Sequence, residues 1–325
     1  MKKEKIVLGM SGGVDSSVAA ILLQKKGFEV YGVFMKNWDD KNAICNAEDD
    51  YADAVSVCNQ LNIPLKKINY TKEYKDRVFS QFLDDHKNGF TPNPDVLCNK
   101  EIKFDVFQKY AKQIGATKIA SGHYAKIVKE NDNFFISKAS DRTKDQSYFL
   151  YQLKSPLLHN IEFPLGSLLK KDIRKIAEEN NLVNASKKDS TGICFIGDRK
   201  YNDFVCQFLK TKKGKIITVD GEEIGHHDGH MYFTVGQRKG LGIGARNSAF
   251  DKPWYVVNKD INKNIVYVAQ GGTHPALFSD QLLADNMYWS RDISKLLPFK
   301  CNAKVRYRDE DLSLIHISEP TRLVS

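Results

Sequence analysis

Apolar positions in the first half of the chain fall into short continuous runs separated by stretches with helical spacing. KIVLGM (5–10) is followed by a helical pattern from Ser17 to Lys26, then EVYGVFM (29–35), a second helical pattern near Glu48 to Leu61, and PLKKIN (64–69). That alternation predicts βαβ units around a parallel sheet. TKIASGHYAKIV (117–128) predicts a further strand and a hairpin that turns at Asn131-Asp132-Asn133 into FFISKA. Helical patterns then cover roughly 146–153, 170–180 and 201–209, with a glycine-rich loop before the last of these.

After about Lys213 the texture changes to short β-like runs with glycine turns: KIITVDGEEIG, MYFTVGQ, WYVVNKD and NIVYVAQGG. A second change at Gly271-Gly272 precedes LLADNMYW and CNAKVRYR. The expected fold class is α/β: a doubly wound parallel-sheet domain over 1–212, a small central β-rich domain over 213–272 and an incomplete β-barrel over 273–311. No internal repeat or low-complexity tract interrupts this order.

Composition narrows the partners. A chain of 325 residues with 42% hydrophobic content holds about two to three domains with their own cores. The net charge of +9 favours an anionic partner, with a phosphate-bearing polymer first among them, although a solubilising charge excess reads the same way. No run reaches membrane-span length and MKKEKIVLGM lacks the apolar core of a signal peptide, so a cytoplasmic protein without a membrane partner is expected.

Cysteines stand at 45, 58, 98, 194, 206 and 301 with no CxxC pair and no zinc spacing, which predicts neither a disulfide scaffold nor a metal site. His226-His227-Asp228-Gly229-His230 brings three imidazoles together without a ligand pattern, and reads as a solvated turn.

Three motifs carry chemistry. Gly9-Met10-Ser11-Gly12-Gly13-Val14-Asp15-Ser16-Ser17 lies between a strand and a helix, where backbone N–H groups, hydroxyls and the helix dipole converge on an anion. It lacks the lysine of a Walker loop, which argues against ordinary γ-phosphoryl transfer. Asn93-Pro94-Asp95-Val96-Leu97-Cys98-Asn99-Lys100-Glu101-Ile102-Lys103 enters a helix, and Lys100, Lys103 and the helix start are expected to lower the pKa of Cys98. Asp95 would orient a base or its proton. Asp189-Ser190-Thr191-Gly192-Ile193-Cys194-Phe195-Ile196-Gly197 describes a glycine-hinged loop suited to a carrier thiol, with Lys187, Lys188 and Arg199 favouring thiolate. Cys45, Cys58, Cys206 and Cys301 read as packing residues. TVGQRKGLGIG follows no βα entry and reads as a loop.

The combination GMSGGVDSS, NPDVLCNKEIKF, SGHYA, KDQSYFLY, STGICFIGDR and YFTVGQRKGLGIG closely resembles the bacterial tRNA-specific 2-thiouridylases, from Lys5 to about Asp309. SGGxDS resembles the pyrophosphate loop of the ATP pyrophosphatase superfamily, so the resemblance implies a PP-loop catalytic domain. It further implies that Gly9, Met10, Ser11, Gly12, Gly13, Val14, Asp15 and Ser16 bind the phosphates of ATP, with Mg²⁺, and that Met35 and Gly122 bind the adenosine. Asn93, Pro94 and Asp95 would meet the target uridine. Lys144, Asp145, Gln146, Arg306 and Tyr307 would touch tRNA, and His123 would line the site without acting as a base.

Cys98 is implied to be the nucleophile and Cys194 the persulfide carrier, the two passing through a transient disulfide. Implied partners are tRNA for Lys, Glu and Gln and a cysteine desulfurase or sulfur-relay protein as donor, acting on a monomer. Two other readings stay open at this point: an ATP pyrophosphatase using ammonia on a small molecule, and a tRNA-binding or sulfur-relay protein without turnover. The final LSLIHISEPTRLVS departs from the resemblance, so 312–325 reads as a non-native tail, expected to be disordered or ill-packed.

Overall fold

The computed structural model describes residues 3–39, 47–189, 192–197, 199–243, 252–293 and 295–316. Their contacts group into two units: Met1–Val78 with Pro94–Gly197 and Asp285–Ser325, and Phe79–Asn93 with Asp198–Ala284. This grouping differs from the division read from sequence: 79–93, 198–212 and 273–284 group with the central segment, and 285–325 groups with the first.

The first unit is built on a parallel sheet of β1 (Lys5–Gly9), β2 (Glu29–Lys36), β3 (Leu65–Asn69), β4 (Lys118–Ala120) and a two-residue strand at Ile161–Glu162. β1 lies between β2 and β4, with Ile6 paired to Val30 on one side and to Lys118 on the other. Chain connection therefore reverses direction at β1, the doubly wound arrangement the sequence predicts.

Alternation along β1 explains its two-sided burial. Ile6 and Leu8 face a core with Val18, Leu23, Ala54 and Ile173, whereas Val7 faces Phe104, Phe107 and Ile119. All three β1 residues are fully buried, and each such side chain is worth about 1.5–3 kcal/mol of burial.

Helix Val14–Lys25 starts one residue after Gly13, earlier than the helical pattern from Ser17 suggests. The second helix, Ala47–Gln60, lies within a residue of expectation. Pro94–Cys98, Asn99–Val106 and Phe107–Gln113 follow one another as helix, with the middle stretch π-helical. The hairpin of β5 (Ala125–Glu130) and β6 (Asn133–Lys138) turns on Asn131 and Asp132, both at positive φ (45° and 65°), as two-residue hairpin loops favour.

The pattern at 146–153 overestimates helix: only a 3₁₀ turn at Ser147–Leu150 forms. Tyr201–Leu209 shortens to Tyr201–Val205. MYFTVGQ holds a 3₁₀ turn, His230–Tyr232, in place of a strand, and LLADNMYW is irregular.

In the second unit a mixed sheet holds β7 (Gly214–Thr218), β8 (Glu223–His227), β9 (Trp254–Asp260) and β10 (Ile265–Gln270), closed over Ile216, Val256, Val266 and Val268. Helix Ser80–Lys87 packs Phe82 near Tyr201, and Phe79 meets Phe204 and Phe208 edge to face.

The segment after Asp285 pairs β11 (Phe299–Ala303) with β12 (Leu312–His316) antiparallel. Five residues of the segment expected to be disordered or ill-packed therefore form a strand; its alternating LSLIH places His316 on Phe299 and Trp289, while Leu312 and Ile315 stay exposed. Residues 317–325 lie outside the described ones.

Candidate active site

The phosphate loop occupies the carboxyl end of β1, where chain direction reverses. Gly12 has φ +76°, and a Cβ there would meet the Asp50 carbonyl oxygen at 2.1 Å, so only glycine fits. Ser16 Oγ accepts from Ser11 N at 3.2 Å and donates to the Gly13 carbonyl at 3.0 Å, and Asn184 Nδ2 donates to the Gly12 carbonyl at 2.9 Å. These bonds fix a loop rich in N–H groups against the first turn of Val14–Lys25.

Two residues distant in sequence join it. Gly122, just beyond β4, lies so near that a Cβ would sit 3.1 Å from Ser16 N, and a Cβ on Gly9 would meet the Met35 methyl at 3.2 Å. Met35 and Gly122 thus flank the loop, which offers an anion N–H groups and leaves room that side chains would fill. A nucleotide fits this donor set.

Sequence reasoning missed the cation beside it. Lys170, at the start of helix Lys170–Glu179, lies 2.7 Å from Asp15 Oδ1, which also accepts from Tyr124 Oη at 2.7 Å. Lys170 also lies 2.7 Å from Asp189, and Asp189 pairs with Lys144 at 2.8 Å and Arg174 at 3.0 Å. Burial alone would raise the Asp189 carboxyl, but Lys144 and Lys170 outweigh it and hold the pKa at about 2. A lysine at a helix start 155 residues after Asp15 leaves no local signal.

Cys98, Cys194, Asp95 and Lys103 gather in one cluster with Tyr74. The Tyr74 hydroxyl and Cys194 Sγ are 3.3 Å apart, and Tyr74 is fully buried. Its hydroxyl is held far above the usual phenol range by burial, then by the neighbouring Cys194 and Cys98 thiols and Asp95. Tyr74 carried no motif signal.

The expected low pKa of Cys98 is overturned. Cys98 is 4% exposed, and burial pushes its thiol up to about 12 against the opposing charge of Lys103. It is also the last residue of Pro94–Cys98 and runs straight into more helix, so it gains little from a helix N-terminus. Lys100 is turned to Glu101 at 3.4 Å.

Cys194 sits on an exposed loop between Gly192 (φ +96°) and Gly197 (φ +60°), consistent with a hinge. Although the residue reaches solvent, the protein packed around Sγ raises its pKa, and the Tyr74 hydrogen bond and Lys103 oppose that rise. Ser190 and Thr191 lie outside the described residues. Asp95 is half-buried, and the protein packed around its carboxyl raises the pKa, with Lys103 opposing.

His123 joins the two halves. It follows Gly122, its Nδ1 lies 2.7 Å from Ser121 Oγ, and its ring packs on Phe104 and Phe163. Burial and the Lys103 charge hold it well below the usual imidazole pKa, so it is neutral at pH 7. Lys103 is therefore the cation common to His123 and to the thiol cluster.

The residues expected to touch tRNA also meet. Tyr307 stacks on Phe149 at 4.5 Å, and Tyr148 Oη donates to the Val305 carbonyl at 2.9 Å, which brings Arg306-Tyr307 beside Lys144-Asp145-Gln146. Within that group Asp145 is buried and accepts from Ala139 N at 2.7 Å, while Gln146 Oε1 accepts from Tyr124 N at 2.9 Å. Both side chains brace the loop. Asn93 and Pro94 fall at the break between the two units.

Among the other motif residues, Cys58 is buried as expected, Cys206 is exposed and Cys301 half-buried, and Cys45 lies outside the described residues. The HHDGH stretch is not all solvated: His227 is buried against Phe233, His226 faces Glu223 and His230 faces Asn264.

A family profile described as the tRNA methyl transferase HUP domain matches residues 4–198, and one described as the tRNA methyl transferase PRC-barrel domain matches 202–270. The chain is 53% identical over 98% of its length to a tRNA-specific 2-thiouridylase of Geobacillus kaustophilus, covering 86% of that protein. It is 51% identical over 98% of its length to the tRNA-specific 2-thiouridylase of Legionella pneumophila strain Lens, covering 88% of it. Among solved structures, an NMN synthetase from Francisella tularensis overlaps at TM-score 0.38 and 18% identity over 62% of this chain and 72% of its own, too slight an overlap to bear on activity. The chain belongs to the tRNA-specific 2-thiouridylase family.

Proposed function

We propose that this chain is a tRNA-uridine 2-sulfurtransferase that activates the C2 oxygen of the wobble uridine with ATP and replaces it with sulfur carried on Cys194. The observation that carries this reading is the meeting, at the carboxyl ends of β1 and β4, of an anion loop and a two-thiol cluster linked through Gly122, His123 and Lys103. An anion loop alone fits many reactions; its juxtaposition with two free cysteines and a half-buried carboxyl fits sulfur transfer.

Gly9 to Ser16 would hold the phosphates with Mg²⁺, and Met35 and Gly122 the adenosine. ATP supplies AMP as the leaving group that uracil O2 otherwise lacks. Lys170 and the loop N–H groups balance charge on the departing pyrophosphate. Asn93, Pro94 and Asp95 orient the uridine, which a single-stranded anticodon loop presents without breaking a duplex.

Cys194 receives sulfur as a persulfide from a cysteine desulfurase or relay protein. The Cys98 thiol attacks Cys194 Sγ; the S–S bond to the outer sulfur breaks as a Cys98–Cys194 disulfide forms, and that sulfur leaves with the electron pair and the Cys98 proton as hydrosulfide, which attacks C2 of the activated uridine and expels AMP; external thiols then reduce the disulfide. The raised pKa of Cys98 supports its acting in this second step, where the departing sulfur takes its proton. His123 lines the crevice in neutral form.

The substrates would be tRNAs for Lys, Glu and Gln, bound through Lys144, Arg306 and Tyr307 by a cytoplasmic monomer. Mass spectrometry of nucleosides from tRNA incubated with the chain, ATP, Mg²⁺ and a persulfide donor tests the reading. Formation of 2-thiouridine with stoichiometric AMP is expected; pyrophosphate release without tRNA would point instead to a small-molecule ATP pyrophosphatase.

A further inference from the structure

The aromatic groups around Cys194 have no part in the chemistry above. Trp38, just after β2, Tyr74 and Phe195 form a closed triangle of rings, with centroids 5.4 Å apart for Trp38–Phe195, 6.0 Å for Tyr74–Phe195 and 6.3 Å for Trp38–Tyr74. Phe195 is the residue immediately after Cys194 and is 1% exposed; it and Ile196 are buried between exposed Cys194 and exposed Gly197. A glycine-hinged loop thus plants one large ring in the core, and such ring pairs add about 0.5–1.5 kcal/mol beyond their buried area. The anchor fixes where Cys194 stands, and the Tyr74 hydroxyl then meets Sγ at 3.3 Å.

We propose that Tyr74 is a positioning residue for Cys194: its ring clamps Phe195 with Trp38, and its hydroxyl donates a hydrogen bond to Sγ that favours the thiolate needed for loading. The proposal rests on the sulfur-transfer reading. In loading, the Cys194 thiolate attacks the outer sulfur of the donor persulfide. The new S–S bond forms as the donor's own S–S bond breaks, and the electron pair leaves on the donor thiolate.

A thiolate cannot donate, so in that state the phenol is the donor. The charged and titratable groups around Sγ are few: Asp95 and Cys98 from Pro94–Cys98, Lys103 from the π-helical stretch, and Tyr74 itself. Asp95 opposes the thiolate, so the groups that favour it are Lys103, the backbone of Phe195 and Tyr74.

The test is Tyr74→Phe, which keeps the ring triangle and removes only the hydroxyl. The pH dependence of Cys194 alkylation by iodoacetamide is followed by peptide mass spectrometry, with exposed Cys206 in the same chain as reference. The midpoint for Cys194 is expected to rise by about one unit while that of Cys206 stays fixed. Formation of 2-thiouridine at pH 7 should fall about tenfold and recover as pH is raised, with the tRNA-dependent pyrophosphate release of the first turnover unchanged.

A Cys194 midpoint that does not move, or a Cys206 midpoint that moves with it, overturns the proposal. Failure of the wild-type chain to form 2-thiouridine overturns the reading beneath it, a result that the alkylation profile of the unloaded chain distinguishes.

Discussion

Lys144 Nζ lies 2.8 Å from Asp189 Oδ2, which ties the segment assigned to tRNA contact to the residue where the Cys194 loop begins. Lys170 extends the same carboxylate to Asp15 in the phosphate loop. One side chain thus touches three functions.

Asp189→Asn should loosen all three. The carboxyl is held at about 2, below its unfolded value, so the stability it contributes is present above about pH 4 and is lost as pH falls through 2. The expected loss at pH 7 is about 1–2 kcal/mol, after discounting for partial exposure. Urea unfolding at pH 7 and pH 3 checks it: the gap between wild type and variant should narrow at the lower pH, and a gap that widens would contradict the ion-pair account.

Cys98→Ser and Cys194→Ser should each abolish 2-thiouridine formation, with the tRNA-dependent pyrophosphate release of the first turnover retained. Nucleoside mass spectrometry reads the first quantity and a pyrophosphate assay the second. Normal thiolation by Cys194→Ser would end the carrier assignment.

Native Cys98 should resist alkylation. With its pKa pushed up to about 12, it is a neutral thiol at pH 8, and labelling should run at least a hundredfold slower than at exposed Cys206. Because the folded value lies above the unfolded one, the stability from keeping this thiol neutral is present below about pH 9 and is lost between 9 and 12. Equal labelling of the two cysteines at pH 8 would contradict the burial of Cys98.

Gly122→Ala separates binding from folding. Its Cβ would stand 3.1 Å from Ser16 N and 3.2 Å from the Asp15 carbonyl carbon, against the first turn of the anion loop's helix. AMP formation should fall at least tenfold while the thermal midpoint moves by only a few degrees. Gly12→Ala, at φ +76° and facing Asp50, should instead lower stability by about 2 kcal/mol or more, which calorimetry measures.

Patterns confined to short stretches were legible. The runs 5–10 and 29–35 became β1 and β2 within a residue or so, because a buried parallel strand needs a largely apolar run, and 64–69 became β3, a half-exposed edge strand that tolerates two lysines. The phosphate loop was readable for a similar reason, its glycines and hydroxyls being contiguous. What depended on distant approach was not. Burial of Cys98 reverses the effect expected of its lysines, and nothing in NPDVLCNKEIK states how deeply the helix sinks. Tyr74, Lys170 and Phe195 acquire their roles only through partners far along the chain, and Asp145 and Gln146 proved to be braces whose polar groups face inward. The helical pattern at 146–153 failed because these braces hold the backbone in a single turn.

The placement of β1 between β2 and β4 also sets an order of assembly. Asp15 and Tyr124, joined by a 2.7 Å hydrogen bond beside the anion loop, are 109 residues apart in the chain. A nascent polypeptide that has emerged only as far as β3 would own the phosphate loop but not the wall that carries Gly122 and His123. Strand pairing of such long range forms slowly, and amino-terminal segments leave the ribosome first. The junction of β1 and β4 is thus a late product of synthesis, formed only once the helix around Cys98 has already been made, and a half-made chain holds the glycine loop without its far wall.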